Sequence, residues 1–219
     1  MTTTRVAMLH TGAVVIAPVR ELVQRELPDV TAVNYLDDRI VADLSDPDAR
    51  DSVPGRVLAL ARAAVDGGAE AILLTCSSIS ALAAPTAAQV GVPVLRIDEA
   101  MADEAVARGG RVAVLATLAT TSEPTCALLR ERAERAGTDP RITSRVVEGA
   151  FAAVAGGDRD THDRLVAAAI TEAAREADVV VLAQASMASA AEAVQVDVPV
   201  LTSLEPGVRR FGELVAGLR

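Results

Sequence analysis

Lysine is missing from this sequence: every one of its 21 basic residues is arginine. Any mechanism that needs a lysine side chain is thereby excluded, whether its Schiff base, a pyridoxal phosphate anchor or the lysine of a Walker-type phosphate loop. Tryptophan is absent too, and one Tyr and two Phe are the only large rings in 219 residues. With a formal charge of −9, the chain has neither the basic footprint nor the stacking platforms that nucleic acid requires. No nucleic-acid partner is expected. Cysteine is scarce: Cys76 and Cys126 stand fifty residues apart, without a C-x-x-C, and only His10 and His162 could assist them. That pattern argues against a zinc site and against a disulfide framework, so no metal is expected. Two free thiols in a chain of this size fit a reducing, cytoplasmic compartment.

What the sequence has in quantity is small apolar side chains. Hydrophobic residues make up 51%, and with so few rings the core must be built from Ala, Val and Leu, which suit close packing of helices on a sheet. Two stretches imitate membrane or targeting signals. The run Val6–Val19 resembles a leader's apolar core, but it carries His10, Thr11 and Gly12 and is read as a strand. Residues 71–95 are uncharged, yet Pro85, Gly91 and Pro93 break them into strand, helix and strand. No membrane partner is expected.

The chain reads as two related halves. Arg5-Val-Ala-Met-Leu-His10 returns as Arg111-Val-Ala-Val-Leu-Ala116, and Glu70-Ala-Ile-Leu-Leu-Thr-Cys76 returns as Asp178-Val-Val-Val-Leu-Ala-Gln184. Gly91-Val-Pro-Val-Leu95 returns as Asp197-Val-Pro-Val-Leu201, so the offset stays between 106 and 108 residues. Helical segments with readable ends lie between these strands. Pro18 opens Val19–Leu27, Asp51 precedes Val53–Val65, Asp98 precedes Glu99–Arg108, Thr121 to Pro124 open a helix to Ala136, and Asp158 or Thr161 opens one to Glu176. Strands apolar on both faces that alternate with helices imply a parallel sheet covered on both sides. The expected fold is therefore α/β: two pseudo-symmetric, doubly wound lobes, the first made of residues 1–97 plus 203–219 and the second of 98–202. In such lobes ligands gather at the carboxyl ends of the strands, and two facing lobes would form a cleft.

Cys76 ends a buried strand, with Ser77 and Ser78 and then a helical pattern behind it. A thiol at a helix N-terminus meets oriented N–H groups that favour the thiolate; the plain alternative is a small buried residue that packs as a hydrophobe. Cys126, among Ala and Leu, takes the plain reading. His10, with Thr11 at the end of the first strand, is a candidate proton relay or substrate contact, against the alternative of a satisfied structural histidine. His162 at a helix start is expected to cap or to face solvent. Glu148 is a weaker acid/base candidate, and Asp37-Asp38 a solvated turn or a lid.

Taken in order, Leu-Leu-Thr-Cys76-Ser-Ser, the Thr117-x-x-Thr120 turn and the two Val-Pro-Val returns resemble the aspartate/glutamate racemase superfamily, which includes hydantoin racemases, maleate isomerases and arylmalonate decarboxylases. The resemblance covers nearly the whole chain. It implies two pseudo-symmetric lobes with the active site in the cleft between them, no cofactor, and thiols working on a carbon next to a carboxylate of a small substrate. It places Cys76 as catalytic, Ser77 and Ser78 where the family has an Asn-Thr pair, and Thr117, Thr120 and the adjacent Thr121 as the hydroxyls of an anion cradle; Thr11, at the end of the first strand, is a further candidate substrate contact by its position. One departure stands out. At the matching strand end of the second half, where racemases of this family carry their second cysteine, this chain has Gln184, followed by Ser186. Glutamine does not exchange a proton at neutral pH, so two-thiol racemisation is not expected, and Gln184 and Ser186 become candidate hydrogen-bonding groups for substrate. Reactions that need one thiol stay open: isomerisation, decarboxylation or another lyase reaction, or hydrolysis with Cys76 as nucleophile and His10 as base. A non-catalytic two-lobed binder of small acids stays open as well. Ala-rich helices in paired lobes suggest a homodimer.

Overall fold

The computed structural model describes residues 3–218. In chain order the elements are β1 (Thr4–His10), α1 (Ile16–Glu26), β2 (Val30–Leu36), α2 (Ile40–Leu44), α3 (Val53–Asp66), β3 (Ala71–Leu74), α4 (Ala83–Val90) and β4 (Val94–Arg96). They continue with α5 (Glu99–Arg108), β5 (Arg111–Ala116), α6 (Ala119–Ala136), β6 (Arg141–Val146), α7 (Ala150–Ala155), α8 (Arg159–Ala173), β7 (Val179–Leu182), α9 (Ala188–Glu192), β8 (Val200–Leu201) and α10 (Leu204–Gly217). The chain divides into two compact units, one running to Ile97 and resuming at Leu204, the other spanning Asp98–Ser203. Ser203 thus groups with the second unit, one residue beyond the boundary set on the sequence.

Each unit holds one four-stranded parallel sheet, in the orders β2-β1-β3-β4 and β6-β5-β7-β8. Both central strands in each sheet are apolar on both faces because helices cover both faces. In the first unit Ala7, Leu9, Ile72 and Leu74 pack on Val57, Ala61 and Ala64 of α3 and on Ala83 of α4. The opposite face meets α1, with Met8, Ala32 and Asn34 beside Val23 and Leu27. The second unit repeats the scheme: Ala113, Leu115, Val180 and Leu182 face α8, while Val112, Val114, Val179 and Val181 face α5 and α6. Edge strand β6 is largely exposed and carries Arg141 and Arg145, a charge pattern that discourages pairing with another chain.

Several helices start elsewhere than their sequence signals suggest. α1 begins at Ile16, two residues before Pro18, after a single 3-10 turn over Ala13–Val15. α6 begins at Ala119 because Leu118 is the last extended residue, which leaves Pro124 inside the helix and costs one backbone hydrogen bond. α8, by contrast, starts where its signal stands, with Asp158 as the cap whose carboxylate accepts the Thr161 N–H at 3.0 Å, but it ends at Ala173, short of the expected Glu176. Among the described residues, no helix is long and apolar enough to cross a membrane.

Candidate active site

After β3 the chain stays extended through Cys76 (φ −131°, ψ 125°) and then winds into a 3-10 turn over Ser77–Leu82. The Thr75 N–H bonds the Leu9 carbonyl at 3.0 Å, continuing the sheet, and the Ile79 N–H bonds the Cys76 carbonyl at 3.3 Å, closing the turn. Cys76 is half-buried against the cluster formed by the sheet and α3 and α4. Ser77 is buried, and Ser78 is partly exposed. The Ser80 hydroxyl donates to the Ser77 carbonyl at 3.1 Å and accepts from the Arg96 guanidinium at 2.9 Å, so a cation from the end of β4 braces the turn that begins at Cys76. Arg96 was not among the residues picked out from the sequence; its place directly after Val-Pro-Val-Leu95 is the signal that was there to read.

His10 is fully buried with both ring nitrogens engaged. Nδ1 lies 2.8 Å from the Thr75 hydroxyl, and Nε2 lies 2.8 Å from the Asn34 side-chain amide. The Asn34 atom facing Nε2 is the amide oxygen, so Nε2–H donates to it, and the bare Nδ1 of the neutral ring accepts from the Thr75 hydroxyl, whose oxygen also lies 3.0 Å from the Leu9 carbonyl. Burial pushes the His10 pKa down, against a smaller upward push from the Asn34 hydrogen bond. Strand alternation decides what the ring can reach. Side chains of like parity share a face, which sets His10 with Met8 and Asn34 on the α1 side and Cys76 with Ile72 and Leu74 on the α3 side. The two residues named together from the sequence therefore sit on opposite faces of one sheet. Thr11, the residue after His10, is buried.

The second unit builds the matching strand end. Past β7 the chain is extended through Gln184 (φ −131°, ψ 140°) and enters a 3-10 turn over Ala185–Met187. The Gln184 side chain folds onto Thr117, the residue after β5: its Oε1 accepts the Thr117 N–H, and its Nε2 donates to the Thr117 hydroxyl at 2.7 Å. Thr117 and Thr121 are buried, and the Thr120 hydroxyl oxygen is sealed from solvent without a hydrogen-bond partner. The turn after Gln184 is tied to α8, where Arg159 donates to the Ser186 carbonyl at 2.9 Å and the Ser189 hydroxyl to Asp163 at 3.0 Å.

The remaining sequence candidates fall into structural roles. His162 is fully buried and neither faces solvent nor caps the helix, which Asp158 does; its Nδ1 pairs with Asp163 at 2.7 Å. Cys126 lies in the core of the second unit, where burial pushes its thiol pKa up against hydrogen bonds from Ser144 and Ser122. Asp37 holds Arg56 through both carboxylate oxygens, one of them 2.8 Å from Nε, so Asp37-Asp38 form an anchored turn. Glu148 is exposed in the turn after β6. Among the described residues, no cluster of three His, Cys, Asp or Glu side chains could hold a metal ion.

Comparison with known proteins adds the family. The model of the Asp/Glu/hydantoin racemase family matches residues 5–210. No curated protein sequence matches this chain. Among solved structures, the glutamate racemase of Francisella tularensis in complex with D-glutamate is similar at a TM-score of 0.76 and 14% identity, over 99% of this chain and 83% of that one. The allantoin racemase of Klebsiella pneumoniae is similar at a TM-score of 0.73 and 17% identity, over 98% and 88%. An arylmalonate decarboxylase is similar at a TM-score of 0.59 and 21% identity, over 97% and 92%. At these identities the likeness speaks for the fold: two parallel α/β units of the racemase type.

Proposed function

We propose, for a chain that belongs to the Asp/Glu/hydantoin racemase family, a cofactor-independent reaction at a carbon next to a carboxylate of a small organic acid or amino acid, with Cys76 as its one working thiol. The observation that carries this reading is the contrast between equivalent strand ends: a half-buried thiol at the end of β3, and at the end of β7 an amide, which is neither an acid nor a base near neutral pH. Deprotonating such a carbon, or removing CO₂ from it, leaves an enediolate whose charge must be met by fixed donors. The reading gives that task to the hydroxyls and N–H groups at the strand ends: Thr11, Ser77 and Ser78 in the first unit, and Thr117, Thr120 and Thr121 in the second. His10, enclosed and hydrogen-bonded at both nitrogens, serves by fixing Thr75, the residue before Cys76, instead of carrying protons.

One thiol has a stereochemical consequence. A thiolate that takes a proton from one side of the carbon returns a solvent-derived proton to that same side, so exchange outruns inversion. In a decarboxylation the S–H proton goes to the carbanion left by CO₂, again on one side, and water then restores the thiol. The test is incubation of aspartate, glutamate, hydantoins and 2-substituted malonates in D₂O with wild type and with Cys76→Ala. Deuterium incorporation or CO₂ release by wild type that Cys76→Ala lacks is the expected result. Equal turnover by both proteins removes the thiol from the mechanism, and rapid two-way inversion of an amino acid removes the single-carrier reading. A lasting covalent adduct on Cys76, detected by mass spectrometry, would favour the hydrolase alternative.

A further inference from the structure

We propose that Gln184 is a positioning residue that sets the direction of the Thr117 hydroxyl proton, so that the turn after β5 offers a hydrogen-bond donor to a carboxylate. This rests on the reading of Thr117 as a carboxylate contact. The argument is one of donor and acceptor counting. A backbone N–H can only donate, so the atom of Gln184 that meets the Thr117 N–H is the amide oxygen. The other end of the amide is therefore the NH₂ group, which can only donate, and the Thr117 hydroxyl oxygen accepts from it at 2.7 Å. With that lone pair occupied, the hydroxyl proton must point away from Gln184. Among the described residues Thr117 makes no other side-chain hydrogen bond, although its side chain is buried. A buried hydroxyl whose proton has been turned away from its one protein partner is poised for a ligand oxygen.

The first unit shows that this arrangement comes from the side chain and not from the fold. The residue equivalent to Gln184 is Cys76, which has the same extended backbone and is likewise followed by a 3-10 segment, there longer. A cysteine has no amide with which to hold the equivalent Thr11. Gln184 is thus more than the residue found where a second thiol would be: it trades a proton carrier for a fixed donor.

The experiment uses the whole protein and malonate as probe. Thr117 N–H exchange is followed by NMR, thermal melting by calorimetry, and malonate affinity by titration, for wild type, Gln184→Ala, Gln184→Glu, Thr117→Val and the double variant Gln184→Ala/Thr117→Val. Wild type is expected to protect the Thr117 N–H and to bind malonate. Gln184→Glu can still accept from the Thr117 N–H, but its second oxygen draws the hydroxyl proton inward. It is expected to keep the protection and the melting temperature while losing about tenfold or more in affinity. The added charge alone weakens an anion, so the double variant decides. Gln184→Ala and Thr117→Val are each expected to lose about tenfold, and the double variant no more than either. Losses that multiply in the double variant, or a Thr117 N–H that exchanges equally fast with and without Gln184, overturn the proposal. If wild type protects Thr117 yet binds neither malonate nor D-glutamate, the carboxylate reading itself fails, the clamp stands as a structural contact, and the functional inference falls with the reading.

Discussion

In the first unit the Thr75 N–H bonds Leu9 at 3.0 Å, the Asp37 N–H bonds His10 at 3.1 Å and the Ile72 N–H bonds Pro93 at 2.9 Å; in the second, Ala183 bonds Leu115 at 2.9 Å, Val147 bonds Ala116 at 2.7 Å and Val180 bonds Pro199 at 2.9 Å. Strand order and register repeat as well. Yet this shared backbone carries different side chains at each counterpart: His10 against Ala116, Thr75 against Ala183, Cys76 against Gln184. Backbone hydrogen bonding and small apolar packing fix the frame, and they are indifferent to what stands one residue beyond a strand. Chemistry can therefore diverge between the halves without disturbing the fold.

The sharpest way to break the comparison is to make one half imitate the other. Cys76→Gln should give the first unit the second unit's clamp, the new amide reaching Thr11 as Gln184 reaches Thr117. Turnover is expected to disappear, by about a thousandfold or more if the thiol is the proton carrier, while the Thr11 N–H becomes protected from exchange. Residual activity within tenfold of wild type would defeat this outcome. A second contrast lies in the helices. At the offset of 106 residues that relates the halves, Met101 of α5 corresponds to Gly207 of α10. A Cβ on Gly207 would stand 2.2 Å from the Ile97 carbonyl oxygen, a backbone atom that cannot swing aside. Gly207→Ala is expected to destabilise the protein by about 1–3 kcal/mol, read by denaturant unfolding; an unchanged midpoint would contradict the close approach of α10 to the end of β4. The smallest effect concerns pH. His10 binds its proton less readily folded than unfolded, so between its lowered folded pKa and the ordinary value of 6.5 the unfolded chain holds more protons. Stability then rises with pH across that window and is lost as pH falls through it. The fall in melting temperature between pH 7 and 5 should be shallower in His10→Asn than in wild type, and parallel profiles would sever that link.

The repeat, the parallel sheets and the placing of Cys76 at a strand end were all legible in the sequence, because hydrophobic runs and their order record burial directly. The bounds of α5 were legible too, Asp98 and Gly109 standing directly before and after it. α6 was less so: Thr121 to Pro124 look like a helix start, but the extended Leu118 lets the helix begin one turn earlier. The separation of His10 from Cys76 needed more than parity: alternation sorts faces within one strand, and only the pairing of Leu9 with Leu74 relates the faces of β1 and β3. The Gln184 clamp on Thr117 was beyond reading: it joins residues 67 apart, and nothing local distinguishes an amide that reaches a neighbouring turn from one that faces a substrate.

The return of α10 to the unit that opens the chain has a bearing on biogenesis. The unit made of Asp98–Ser203 is continuous and complete once its last strand has been synthesised. The other must wait for Val208, Phe211 and Val215, the buried stripe of the final helix. On the ribosome the later-starting half can thus finish folding first, while the half bearing Cys76 is held open until α10 has been made.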